Sequence, residues 1–161
     1  MGNAVALRPL TTTPVAISAL ATALGLAHRG PEAEVTGVAL ASGAVHRGDL
    51  FVALRGVHRH GSEFWPDARV AGAMAVLTDE EGFGSLRDPA LPILVADNPR
   101  ALLGRVSAEI YGTRSTPMPT LLGVTGTNGK TSTAFLLEAI MRGLGARTAL
   151  STTAIRQVNG E

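Results

Sequence analysis

A lysine and a threonine placed directly after a glycine-rich turn can hold a phosphate and its counter-ion. The chain has that arrangement at Thr125-Gly126-Thr127-Asn128-Gly129-Lys130-Thr131. The apolar run Leu121-Leu122-Gly123-Val124 precedes it, and a segment with helical spacing follows from Ser132. A glycine turn between a buried strand and a helix points several backbone N–H groups at one place, where the helix N-terminus adds partial positive charge. Lys130 is then placed for the β- and γ-phosphates, and the Thr131 hydroxyl for magnesium. The residues expected at a nucleoside triphosphate are therefore Gly126, Thr127, Asn128, Gly129, Lys130, Thr131 and Ser132. Lys130 is the expected catalytic group and Thr131 the expected metal ligand. The glycine frame is Gly123, Gly126 and Gly129, a variant of the Walker A spacing, because Val124 stands where the strict motif has glycine.

The elements that must position this loop can be read outward from it. Phe135, Leu136, Ala139, Ile140 and Leu144 recur at helical spacing, and Gly145 falls where a helix ends. Before the loop, Ser115-Thr116-Pro117-Met118-Pro119 reads as a linker between domains. Ahead of the linker, strand candidates alternate with helix candidates. Residues 35–40, 50–54, 74–77 and 93–95 have strand length and composition. Ser62 is the expected cap of a short helix carrying Phe64, Trp65 and Val70, with Pro66 in its first turn. Asn98-Pro99 starts a helix with Leu102, Val106 and Ile110 on one face and Gly112 at its end. Residues 14–27, mostly small and apolar, read as a short amphipathic helix with Ser18 near its start and Gly25 stopping it, in preference to a secretory segment. A further strand is expected at 147–150. The expected fold class is α/β. A small first domain is followed by the first strand–phosphate loop–helix unit of an incomplete parallel-sheet nucleotide domain. The expected divisions are 1–30, 31–114, 115–119 and 120–161.

Composition sets limits on partners. Of 161 residues 45% are hydrophobic and 17% charged, with 14 basic residues against 13 acidic ones. These are the proportions of a folded globular chain. Its basic residues form no run, and one Trp, one Tyr and four Phe give no aromatic and basic surface for bases. No nucleic-acid partner and no membrane are expected. The chain has no cysteine, which excludes disulfides, thiolate zinc sites and a cysteine nucleophile, and fits a cytoplasmic setting. His28 and His46 have no ligand-spaced companion and read as surface residues.

Gly123–Thr131 resembles the nucleotide loop of the Mur ligases and their folylpolyglutamate synthetase relatives. Within that family, four segments resemble a uridine-binding first domain: Val35–Ser42, Gly48–Gly56, His60–Phe64 and Ala71–Val76. Two branches share that domain, one adding the third amino acid of the cell-wall precursor and one the terminal dipeptide. Asp97–Arg100, Leu103-Gly104 and Tyr111-Gly112, with Gly126–Gly129 in the loop, favour the branch adding diaminopimelate or lysine as the third residue.

The resemblance implies an ATP- and magnesium-dependent amide ligation. A carboxylate of UDP-MurNAc-L-Ala-D-Glu is phosphorylated, the incoming amino acid's amine attacks the acyl phosphate, and phosphate leaves. Carried over by position, Leu40 and Ser42 match a uridine-contact strand end, and Val57, His58 and Arg59 fall on a second substrate loop. For His58 an exposed loop histidine is an equal reading. One departure concerns this site: the family's usual Asp-Ser-Arg is Ala41-Ser42-Gly43 here, so two charged positions are lost while the serine remains. The magnesium carboxylate, the modified lysine and the domain that reads the amino acid are not among these 161 residues. Three domains at ~100–200 residues each need roughly two to three times this length, so the chain is expected to be the front part of a longer enzyme and inactive alone. The alternatives are a non-catalytic nucleotide or UDP-sugar binding module, and another ligase of the same family such as a dipeptide-adding or cyanophycin-type enzyme.

Overall fold

Side chains along Asp49–Val52 leave the backbone alternately to opposite faces of a sheet, and all four positions are buried. That requires cover on both faces, and the chain supplies it. In this computed structural model, which describes residues 8–9, 11–86, 90–117 and 119–160, contacts divide the chain into two units. One is Leu10–Met118 and the other Pro119–Glu161 with Met1–Pro9. Met1-Gly2, Met118 of the expected linker and Glu161 lie outside the described residues.

The first unit runs β1 (Val15–Ala16), α1 (Ile17–Leu24), β2 (Ala27–Arg29), β3 (Glu34–Val35), β4 (Gly37–Ala39), β5 (Asp49–Val52), α2 (Trp65–Val70), β6 (Ala75–Thr78), α3 (Glu80–Ser85), β7 (Ile93–Val95) and α4 (Pro99–Ile110). The main sheet has the order β2-β7-β6-β5-β4. β4 to β7 are parallel, and β2 closes the far edge antiparallel to β7. β1 and β3 pair separately. Helix α1 and strand β2, within the expected 1–30 extension, are thus built into the same sheet and core as the rest.

Pairing Val52 with Leu77 and Leu77 with Leu94 sets a row of large aliphatics on one face. Ile17, Leu20, Ala21 and Leu24 of α1 and Val106 and Ile110 of α4 pack on that face. The alternate row, Phe51, Val76 and Ile93, faces Trp65 and Ala68 of α2 with Ala73 and Leu91. The result is a three-layer α/β arrangement of mostly parallel strands.

Local chemistry explains the boundaries. Asn98 caps α4 by accepting the Ala101 N–H at 3.1 Å, and Pro99 occupies its first turn, as the sequence implies. The Tyr111 hydroxyl at the other end accepts the Val38 N–H at 3.2 Å and ties α4 to edge strand β4. Helix α1 ends at Gly25 as expected, but Ser18 does not cap it. Instead Glu32, distant in sequence, accepts the Ser18 and Ala33 N–H groups through one carboxylate oxygen. The 35–40 strand is split at Thr36, because Glu34–Val35 pairs with β1 while Gly37–Ala39 pairs with β5, and Leu40 lies beyond the end of β4.

In the second unit α5 spans Lys130–Gly143, and β8 (Ala149–Ser151) and β9 (Arg156–Val158) form an antiparallel pair. The helix begins two residues before the expected Ser132, and the strand expected at 147–150 is shifted to β8. Gly145 follows the helix end with φ +84°, its N–H donating to Arg142. One further expectation is corrected. Leu121–Val124 lies outside any strand, because no described residue pairs with it, and Leu121 is 75% exposed. Phe135, Leu136, Ile140 and Leu144 form the expected stripe but are exposed, whereas Glu138 is buried, accepting from the Thr148 hydroxyl at 2.7 Å beside Arg142.

Candidate functional site: a phosphate loop and the C-terminal edge of a parallel sheet

The phosphate-loop residues are contiguous at the start of α5. Gly129 stands at its N-cap in the left-handed region, φ 76°, and Gly126 also has positive φ, at 143°. A side chain is strained at either position. No side chain caps the helix, so its first-turn N–H groups, which have no acceptor within the helix, are available to an oxyanion. Lys130 curls back over the turn, and its Nζ donates to the carbonyls of Gly126 at 2.6 Å and Thr127 at 3.3 Å. This places the ammonium beside the same turn as the amides. Thr127, Asn128 and Ser132 are exposed and Thr131 half-buried. The donor set fits a phosphate: backbone amides, one cation and a hydroxyl around a glycine turn. For magnesium the fit is partial, since Thr131 supplies one oxygen and no group of three His, Cys, Asp or Glu side chains gathers as a metal site among the described residues.

The other expected residues follow two neighbouring parallel strands. Leu40 and Ser42 come directly after β4, Leu40 being 54% exposed and Ser42 half-buried at the start of a short 3-10 turn, Ser42–Ala44. Val57, His58 and Arg59 come after β5. Parallel β4 and β5 end at the same edge, so the sheet brings both groups to its C-terminal side, where open α/β sheets take ligands. The phosphate loop and this edge belong to different units.

The loop after β5 is tightly made. Arg55 and His60 face each other in an antiparallel bridge, and the Gly56 N–H donates to Arg59 at 3.0 Å. Val57 and His58 are thereby at the tip, Val57 94% exposed. Gly61 returns the chain against the strand end: a Cβ there would lie 2.7 Å from the Leu54 nitrogen and 2.8 Å from the Ala53 carbons. A 3-10 turn, Gly61–Phe64, then leads into α2. Its cap is His60 rather than the expected Ser62: the Ser62 N–H donates to His60 Nδ1 at 3.1 Å, and the His60 N–H donates to Glu63 Oε1 at 3.0 Å. Ser62 is itself buried. Arg59 pairs with Glu63 at 2.9 Å and lies over the Phe64 ring, and Arg55 pairs with Glu81.

His60 and Asp79, which sequence reasoning missed, meet behind this loop, with His60 Nε2 at 3.1 Å from Asp79 Oδ1. The available signal was the capping-box spacing of His60 and Glu63, hidden because histidine replaces the usual serine or threonine. Burial raises the Asp79 carboxyl, but the Gly82 N–H and the His60 ring outweigh it and hold it below the ordinary aspartate value. Glu63 is lowered by Arg59 first and then by the His60 N–H. A carboxyl depressed in the folded state stabilises above its unfolded pKa and loses that contribution as pH falls through the folded value. The thermal midpoint is therefore expected to drop as pH falls below ~4, and Asp79→Asn to remove part of that acid loss. Melting followed by circular dichroism between neutral and acid pH checks this, and equal acid slopes in both proteins would refute it.

Fold and loop together define a class, an α/β protein with a glycine turn suited to phosphate at a helix N-terminus. Residues 34–111 match the family model described as Mur ligase family, catalytic domain. Over these residues the chain is similar to the Mur ligase family. It is 42% identical over 151 residues to a UDP-N-acetylmuramoyl-L-alanyl-D-glutamate–2,6-diaminopimelate ligase of Streptomyces coelicolor, covering 94% of this chain and 29% of that protein. Against a UDP-N-acetylmuramyl-tripeptide synthetase of Leifsonia xyli the identity is 46% over 155 residues, covering 95% and 30%. Among solved structures, the MurF ligase from Thermotoga maritima in complex with ADP matches with a TM-score of 0.54 and 26% identity, over 71% of this chain and 24% of that one. The chain thus spans about 30% of the length of the curated relatives it matches. Among the described residues no helix is long and apolar enough to cross a membrane.

Proposed function

We propose that this chain carries the phosphate loop and the uridine-nucleotide module of a cytoplasmic ligase of cell-wall precursor synthesis. That ligase joins diaminopimelate or lysine to UDP-MurNAc-L-Ala-D-Glu at the expense of ATP. The observation that carries the reading is the identity of 42–46% to relatives named for that reaction, extending across both the sheet and the loop. The ADP bound by the Thermotoga maritima MurF ligase supports an adenine nucleotide at the loop.

In this reading ATP would supply the phosphoryl group that turns a carboxylate into an acyl phosphate, a mixed anhydride from which the incoming amine displaces phosphate. The residues of this chain bind and orient. Amides of Gly126–Thr131 would hold the phosphate oxygens, and Lys130 would exchange its two carbonyl contacts for the more strongly attracting phosphate. The Thr131 hydroxyl would contribute one oxygen to magnesium. Leu40, Ser42, Val57, His58 and Arg59 would receive the uridine nucleotide at the sheet edge, with residues 31–114 as its domain, 115–119 as a linker and 120–161 as the start of the ATP-binding domain. The loss of charge at Ala41 and Gly43 leaves Ser42 as the polar side chain of that strand end.

The test is a chimera in which this chain replaces the matching 29% of the Streptomyces coelicolor relative. ATP- and amino-acid-dependent tripeptide formation supports the reading. A folded chimera that binds UDP yet forms no product with either amino acid would favour the non-catalytic binding module.

A further inference from the structure

The strongest unassigned cluster lies behind the loop Arg55–Arg59, at His60, Asp79, Ser62 and Ser85. The His60 side chain is only 9% exposed. Its Nδ1 receives the Ser62 N–H and lies 2.8 Å from the Ser62 hydroxyl, which in turn accepts from Ser85 at 2.8 Å. With Nδ1 accepting, the ring N–H belongs on Nε2, where Asp79 Oδ1 takes it. Asp79 Oδ1 also accepts the Gly82 N–H at 2.8 Å and so caps α3. One imidazole therefore joins the 3-10 turn after β5 to the start of α3 after β6. The remaining space is closed: a Cβ on Gly82 would lie 2.5 Å from His60 Cε1 and 2.0 Å from Thr78 Oγ1. The charged groups near His60 are Asp79 from the α3 cap, Glu63 on its own turn, and Arg55, which acts on Asp79.

We propose that His60 is a positioning residue: its ring, clamped between Asp79 and Ser62, fixes the loop Arg55–Arg59 at the sheet edge and so sets that loop's affinity for a uridine nucleotide. The proposal rests on the uridine-site reading above. The ring itself is buried and touches no ligand. Its effect reaches the edge through the Arg55–His60 bridge and the Gly56–Arg59 turn that the bridge closes.

The experiment compares the 161-residue chain with His60→Asn, Asp79→Asn and the double variant. Asparagine at 60 still caps the 3-10 turn but does not reach Asp79, and asparagine at 79 still caps α3 without its charge. Two quantities are read: amide hydrogen exchange of residues 55–60 without ligand, and the affinity for UDP by calorimetry. Each single variant is expected to speed exchange in 55–60 and to weaken UDP roughly tenfold, the loss of one charge-assisted hydrogen bond. The double variant is expected to be no weaker than either single one, because both break the same link. The imidazole N–H of His60 should be slow to exchange in the parent chain and fast in Asp79→Asn. Unchanged exchange in both variants would overturn the positioning role, since it requires no ligand. Faster exchange with unaltered UDP affinity would overturn the link between loop and nucleotide. A parent chain that takes up no UDP would overturn the uridine-site reading and the affinity claim together, and leave the exchange data to judge the clamp.

Discussion

Lys130→Ala is expected to lower tripeptide formation by the chimeric ligase about a hundredfold or more, since in the proposed function the lysine would be the cation that meets charge on the transferred phosphoryl group. Lys130 is exposed and donates to two carbonyls of its own loop, so its removal leaves no buried partner stranded. The melting temperature should therefore stay within a degree or two of the parent while turnover collapses. Lys130→Arg makes an informative companion. It keeps the charge but replaces a compact ammonium with a planar fork too large for the turn, and should restore little. Nucleotide affinity, followed with a fluorescent ATP analogue, should fall in parallel. Unaltered affinity and turnover in Lys130→Ala would mean that the phosphate assignment to this loop is wrong.

Phe51→Ala is expected to have the largest effect on stability. Phe51 is 1% exposed at the middle of β5, paired with Val76 across the parallel ladder and packed with Trp65, Ala68 and Ile93. Truncation removes most of an aromatic ring from the layer between sheet and α2, and flanking strands held by ladder hydrogen bonds cannot close the cavity. The expected loss is ~3–5 kcal/mol, a large share of the ~5–15 kcal/mol that holds an ordinary domain. Urea unfolding followed by tryptophan fluorescence will read it directly, because Trp65 borders the cavity. A lower midpoint with an unchanged slope is expected, and a loss below ~1 kcal/mol would contradict the packing described.

Much of the first unit was legible because its signals are local. Short unbroken apolar runs at 50–54 and 93–95 mark strands covered on both faces, and Asn98-Pro99 marks a helix start by its own chemistry. Strand edges were less legible, since the 35–40 run changes partner at Thr36, from β1 to β5, a choice made by the fold. The cap of α1 was beyond reach for the same reason: Glu32 approaches Ser18 from another segment. In the second unit the spacing of Phe135, Leu136, Ile140 and Leu144 gave the helix correctly but not its burial, because periodicity marks a face and says nothing about what covers it. Leu121–Val124 has strand composition, yet a strand is a relation between two segments and no described segment pairs with it. The turn at Gly126–Gly129 was legible as a motif because glycine spacing encodes its left-handed backbone geometry. The sheet edge was legible only through resemblance. Val57, His58 and Arg59 carry no pattern of their own, and the histidine behind them is recognisable only once β5 and β6 are side by side.

The close return at Gly61 bears on how relatives of this chain can be compared. Because even a methyl group there would overlap the backbone of Ala53 and Leu54, the position works as a fixed peg in an alignment. Family members with glycine at the matching place can share the 55–60 hairpin, and differences among them in the residues at its tip can be read as differences in what the tip meets. Members with any other residue there must route this stretch of backbone along a different course, and their tip residues belong in a separate column.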